Sequence, residues 1–196
     1  MNHLAHYVLA PADDPARMGT LLGDFARGND LSAWPAPVES AIRLHRRIDS
    51  LTDTDPLVAE VKALAPAHLR RYAGILMDVF FDHVLITQWP RWHTAPLESF
   101  CAATYAGLER SAPALPTAAQ ALALRMGRYD MLRNCASYDG VVHVLGRIAT
   151  RLSRPVALAE GAVMLEQHLP RIEAAFEQFF PQLLTMAAQW PPAPST

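Results

Sequence analysis

The chain has 196 residues, 51% of them hydrophobic and 18% charged, with a formal net charge of −2. This composition fits one folded domain with a sizeable core and excludes a disordered chain. The near-neutral charge argues against nucleic acid as a partner, and no apolar run approaches the roughly 18 uninterrupted residues of a membrane span.

Helical periodicity dominates, with no alternating strand and no Asn-Gly hairpin. A first helix is predicted near Pro15 to Arg27, stopping around Gly28. A second runs from Pro37 to about Leu51, a third from Asp55 to Leu64, and a long fourth from Ala67 to Trp89. Further helices are expected near Pro96–Arg110, Thr117–Met126, Tyr138–Leu152, Val156–Gln167 and Pro170–Gln189, with prolines as punctuation between them. The expected fold is all-α: a single compact multi-helix domain over residues 1–190, followed by a Pro-rich flexible tail, 191–196. Cys101 and Cys135 form neither a disulfide framework nor a zinc spacing. The opening "MNHLAHYVLAPADD" is too short and polar for a signal peptide, so the expected location is cytoplasmic.

The polar residues inside apolar segments raise the chemical question. In "AIRLHRRIDSLTD", Ala41, Leu44, Ile48 and Leu51 form a helical stripe, and His45 and Asp49, four apart, share a face bordering it. Arg43, Arg46 and Arg47 spread over the remaining surface. In "GILMDVFFDHVLI", Asp78 and Asp82 are again four apart beside Ile75, Val79 and Ile86, and His83 lies about 100° further round. An ionised carboxylate in apolar surroundings without a partner costs several kcal/mol or more, and that segment offers no cation. "HLAH" adds His3 and His6, and "LLGDFARG" adds Asp24. A mixed set of carboxylates and imidazoles from separate helices suits Mn²⁺, Fe²⁺ or Mg²⁺, and Zn²⁺ less specifically. His68, His93, His143 and His168 read instead as surface or hydrogen-bonded core residues.

Four stretches together, "NHLAH" at residues 2–6, "GDFARG" at 23–28, "HRRIDSLTD" at 45–53 and "MDVFFDH" at 77–83, resemble the acyl carrier protein phosphodiesterase family. "RIATRLSRP" and "FEQFFPQLL" extend the likeness over nearly the whole chain. Where the family's opening motif carries an aromatic residue, this chain has His3, while His6 holds the family's histidine position. The family in turn is similar to the helical HD-type metal phosphohydrolases, although the adjacent pair here, Asp82–His83, runs in the reverse order. The resemblance implies an HD-phosphohydrolase-like helical bundle and hydrolysis of the phosphodiester between 4′-phosphopantetheine and a serine of holo-acyl carrier protein. It also implies a divalent cation, most commonly Mn²⁺.

On this reading Asp24, His45, Asp82, His83 and His6 are the expected metal ligands. Asp49 is a ligand, an orienter of a histidine or a base. Asp78 is a supporting carboxylate or the base, and Arg47 contacts phosphate. Arg43, Arg46, Arg70 and Arg71, with Arg27, form the expected rim for an acidic carrier protein. Three alternatives stay open: an HD-type enzyme acting on a nucleotide or other small phosphodiester, a carboxylate-bridged metal bundle, and a non-catalytic helical adaptor. The scarcity of Glu in the cluster argues against the carboxylate-bridged bundle.

Overall fold

The structure, a computed structural model, describes residues 2–191. The tail expected at 191–196 therefore lies, from residue 192 onward, outside the described residues. Among those residues every regular element is helical, as expected: α1 (His3–Leu9), α2 (Asp14–Leu22), α3 (Ala36–Thr54), α4 (Pro56–Lys62), α5 (Ala73–Thr87), α6 (Trp89–Trp92), α7 (Leu97–Ser111), α8 (Thr117–Arg128), α9 (Tyr138–Ala149) and α10 (Ala162–Ala188), joined in places by short 3₁₀ turns. No described helix is long and apolar enough to cross a membrane.

Local chemistry sets many of the boundaries. Asp13 caps α2 by accepting the Ala16 N–H at 2.8 Å, with Pro15 in the first turn. Asp55 ends α3 and caps α4 through the N–H groups of Leu57 and Val58. Both follow the usual preference for a carboxylate cap and an early proline. The expected fourth helix divides in two: Ala67–Tyr72 is a 3₁₀ turn, and α5 begins only at Ala73.

Two other expectations are corrected. The segment before Pro15 holds the seven-residue helix α1, and the two helices expected on either side of Pro170 are one 27-residue helix containing Pro170 and Pro181. Proline removes a helix hydrogen bond, but both prolines are exposed, so the carbonyls they free can meet water. The opposite face of α10 buries Met164, Leu165, Ile172, Phe176, Phe179, Phe180 and Leu183 in one continuous row. That row outweighs the local break. Full burial of each large side chain is worth about 1.5–3 kcal/mol against about 3 kcal/mol per proline.

Helix α5 is the axis of the fold. It packs against α1, α4, α9 and α10, and its core residues Leu76, Met77, Phe80, Phe81, Val84 and Leu85 are fully enclosed. Phe81 meets Phe176 of α10 at 5.4 Å between ring centroids. On the other side, α2 lies between α3 and α7. Gly19 makes the α2–α3 approach possible, since a Cβ there would stand 2.4 Å from the Val38 carbonyl oxygen. This packing brings α1, the end of α2 and the middle of α3 beside the face of α5 that carries Ile75, Asp78 and Val79.

Candidate active site

His6 comes from α1, His45 and Asp49 from α3, and Asp24 from the turn after α2. His45 belongs to the buried stripe of α3, in register with Val38, Ala41, Ile42, Ile48 and Thr52. Its ring stacks on that of His6, with centroids 3.8 Å apart and planes 6° from parallel. Both rings are buried, 4% and 2% exposed. Their Nε2 atoms converge on one carboxylate: His6 Nε2 is 3.1 Å from Asp49 Oδ1, and His45 Nε2 is 3.2 Å from Asp49 Oδ2. Asp24 Oδ1 stands 3.6 Å from His45 Nε2, and its Oδ2 3.7 Å from His3 Nδ1.

Each partner is held by a device that local patterning hides. Arg46 donates 2.7 Å hydrogen bonds to the carbonyls of Ala26 and Gly28. It thereby ties the turn bearing Asp24 to the helix bearing His45. Gly28, at φ 74°, takes the left-handed conformation that lets the chain leave this turn. Helix α1 is held by Asp82, whose carboxylate accepts the N–H groups of Leu4 at 3.2 Å and Ala5 at 3.3 Å. The Asn2 side chain makes no cap bond, so a carboxylate 78 residues away does the capping. Gly23 lies against His45, with the ideal position of a Cβ only 2.2 Å from His45 Cγ.

The electrostatics follow from this geometry. Two parallel buried imidazoles cannot both carry charge cheaply. Burial, only partly offset by the Asp49 hydrogen bond and reinforced by His45, lowers His6 to about 4. His45 is also penalised by burial, but its contacts with Asp24 and Asp49 outweigh that and raise it to about 9. Burial opposes the Asp49 charge too, yet hydrogen bonds from His45 and His6 hold its carboxyl well below the usual range. At neutral pH the cluster thus contains a neutral His6, an imidazolium at His45 and two carboxylates, and its net charge is negative.

His6, His45 and Asp49 each offer a donor atom within 4.8 Å of the others, close enough to share one cation. The donor set fits such an ion. Two imidazole nitrogens and carboxylate oxygens suit Mn²⁺, Fe²⁺ or Zn²⁺, and buried His45 Nδ1 has no hydrogen-bond partner, which leaves Nε2 as the nitrogen turned toward polar neighbours. The carboxylates are more than two-fifths exposed, so the cluster opens to solvent on their side. It opens into a cleft of about 340 Å³, with Asp78, Ile75 and Val79 of α5 on one wall and Ile148 and Arg151 on another.

The structure does not bring every predicted residue to the cluster. Asp82 is buried and occupied by α1, and burial, against its two N–H bonds, raises its carboxyl to about 7. His83 turns away, and its Nδ1 lies 2.7 Å from the Cys135 carbonyl oxygen. Asp78 lines the cleft. Arg47 is exposed and sits about 200° round α3 from His45, on the far side of the helix. Arg46 is spent on the loop, and Arg43 pairs with Glu39 at 2.7 Å. Arg27, Arg70 and Arg71 are exposed, and none of them lines the cleft. The arginine that does is Arg151, which the residue pattern did not single out. Its only sequence signal is its place inside "RIATRLSRP".

A family model described as acyl carrier protein phosphodiesterase matches residues 1–183. The chain is 32% identical over 188 residues to the acyl carrier protein phosphodiesterase of Pectobacterium atrosepticum, covering 95% of this chain and 97% of that protein. It is 35% identical to the protein of that name from Photorhabdus laumondii, covering 95% of each, and 33% identical to the one from Yersinia pestis, covering 95% and 97%. No solved structure matches the chain. Matched along nearly its full length by the family model and by these relatives, the chain belongs to the acyl carrier protein phosphodiesterase family and is a phosphodiester hydrolase.

Proposed function

We propose that the cleft hydrolyses the phosphodiester joining 4′-phosphopantetheine to a serine of holo-acyl carrier protein, using a divalent cation held by His6, His45 and Asp49, with Asp24 contributing from the rim. Mn²⁺ is the first candidate, with Mg²⁺ and Fe²⁺ the others. The observation that supports this most is the convergence of three donors within 4.8 Å, two of which, His6 and His45, line an open cleft beside Asp24. The carrier-protein substrate is drawn from the family, and a cytoplasmic location is part of the same reading.

When bound, the cation supplies Lewis-acid polarisation of the phosphoryl group and acidification of water. The residues supply the rest. His6 is kept neutral, so it would coordinate through Nε2 once the hydrogen that Nε2 donates to Asp49 shifts to Nδ1, with no net loss of a proton. His45 must lose its proton to coordinate, and the shared Asp49 carboxylate fixes both rings in one orientation. Asp78, across the cleft, accepts the proton of the attacking water. Water oxygen bonds to phosphorus, the bond from phosphorus to the serine oxygen breaks, and that oxygen takes up a proton. The products are apo-acyl carrier protein and 4′-phosphopantetheine.

Intact-mass measurement of holo-acyl carrier protein tests the reading. Metal-stripped enzyme supplied with Mn²⁺ is expected to remove the prosthetic group, and enzyme with chelator is not. A carrier protein left intact in both arms, with a small phosphodiester cleaved, would favour a small-molecule substrate instead.

A further inference from the structure

The cleft does not end at Arg151. A second, smaller depression of about 80 Å³ shares Asn2, His3, Ile148 and Arg151 with it and continues between α9 and the 131–135 turn. Shared lining makes the two one continuous surface. On α9 the wall is formed by Val144, Arg147 and Ile148, spaced i, i+3 and i+4 and therefore on one helical face, and it is continued by Arg151 in the turn after the helix, whose N–H donates to the Ile148 carbonyl at 2.9 Å. The two arginines are exposed and the two aliphatic residues half-buried. Neither arginine has an ion-pair partner among the described residues, unlike Arg43, Arg91, Arg110 and Arg133. The opposite wall is pinned by His83, whose Nδ1 bonds the Cys135 carbonyl at 2.7 Å. A histidine that sequence reasoning assigned to metal thus shapes this groove.

We propose that this groove seats the pantetheine arm of the substrate, with Arg151 on its phosphoryl end; the inference rests on the function proposed above. The chemistry runs in the order of the lining. A phosphoryl group at the metal cluster faces the unpaired Arg151 guanidinium, which suits anionic oxygens. The geminal methyl groups next to that phosphate meet Ile148 and then Val144, and the amides that follow meet Arg147 and Asn134. The groove is too small to enclose the arm, so it holds one side of it and leaves the other to solvent or to the carrier protein.

Calorimetric titration of Mn²⁺-loaded protein with 4′-phosphopantetheine, pantetheine and inorganic phosphate, none of them a phosphodiester, tests this without relying on turnover. Wild type is expected to bind 4′-phosphopantetheine about tenfold tighter than phosphate. Arg151→Ala should weaken both phosphorylated ligands. Val144→Trp should erase the preference for the arm while leaving phosphate binding unchanged. It should also raise the KM for holo-acyl carrier protein while hydrolysis of bis(4-nitrophenyl) phosphate stays within about twofold. Arg147→Glu, an exposed change that leaves the core untouched, should reduce the same preference and guards against a misfolded tryptophan variant. Wild type binding 4′-phosphopantetheine no tighter than phosphate, or a preference that survives both Val144→Trp and Arg147→Glu, would overturn the inference. If the carrier protein is hydrolysed normally while the preference is absent, the groove assignment alone fails. If the carrier protein is never hydrolysed, the underlying function fails with it.

Discussion

Gly23→Ala is the smallest change that tests how the site is built. Gly23 has ordinary helical angles, φ −50° and ψ −38°. At such a position alanine normally stabilises by about 0.4–1 kcal/mol, because it restricts the unfolded chain. Here the new methyl would stand 2.2 Å from Cγ, 2.5 Å from Nδ1 and 2.6 Å from Cδ2 of His45. The ring has little room to retreat, since it is stacked at 3.8 Å on His6. Overpacking of this kind costs about 1–3 kcal/mol, so it outweighs the entropic gain and the net effect is destabilising. Any movement that relieves the clash also displaces Nε2 from Asp49, which should weaken Mn²⁺ binding. Urea denaturation of metal-free protein and Mn²⁺ titration by electron paramagnetic resonance measure the two effects. In a His45→Ala background the methyl has no ring to strike, and the same change should become neutral or stabilising, a coupling a double-mutant cycle reads directly. A Gly23→Ala protein more stable than wild type, with unaltered Mn²⁺ affinity, would refute the packing argument.

Three further outcomes are expected. Asp82→Ala should destabilise the protein by roughly 2–4 kcal/mol, because it leaves the buried N–H groups of Leu4 and Ala5 without an acceptor; a loss below about 0.5 kcal/mol in denaturant titration would contradict the capping role. The Asp82 carboxyl, raised to about 7, is protonated more readily in the folded than in the unfolded chain. Its contribution to stability should therefore fall as pH rises from about 4 to about 7, and the difference in unfolding free energy between wild type and Asp82→Asn should show this slope. His45, raised to about 9, must give up a proton to a metal. Apparent Mn²⁺ affinity should thus climb between pH 6 and 9, with a proton released on binding that calorimetry in buffers of different ionisation enthalpy detects; a pH-independent affinity would rule this out.

What was legible in the sequence was whatever one element could carry alone. The helices of α3 and α5 follow from apolar periodicity, and His45 and Asp49 stood out because they are polar residues beside an apolar stripe. What was hidden depended on distant partners. Helix α1 is only seven residues long and is capped by Asp82 from another helix, so nothing local announces it. The same contact explains why Asp82 looked like a ligand: a buried carboxylate needs a partner, and backbone N–H groups satisfy that need as well as a cation does. His83 was ambiguous for a similar reason, its partner being the Cys135 carbonyl. Arg46 and Arg47 are adjacent in sequence, yet one ties down a loop and the other faces solvent, a difference of about 100° round a helix. Arg151 lies far along the chain, in the turn after α9, and comes to the cleft because α9 packs on α5.

The claim on which the rest depends is that the cation sits between His6, His45 and Asp49 and not at Asp82–His83. Mn²⁺ binding isotherms of metal-stripped Asp49→Asn and Asp82→Asn, run beside wild type, separate the two. The account predicts one tight Mn²⁺ per chain in wild type, an affinity within about threefold of that in Asp82→Asn, and a loss of at least about 100-fold in Asp49→Asn. An Asp82→Asn protein that loses the metal while Asp49→Asn retains it would contradict the account.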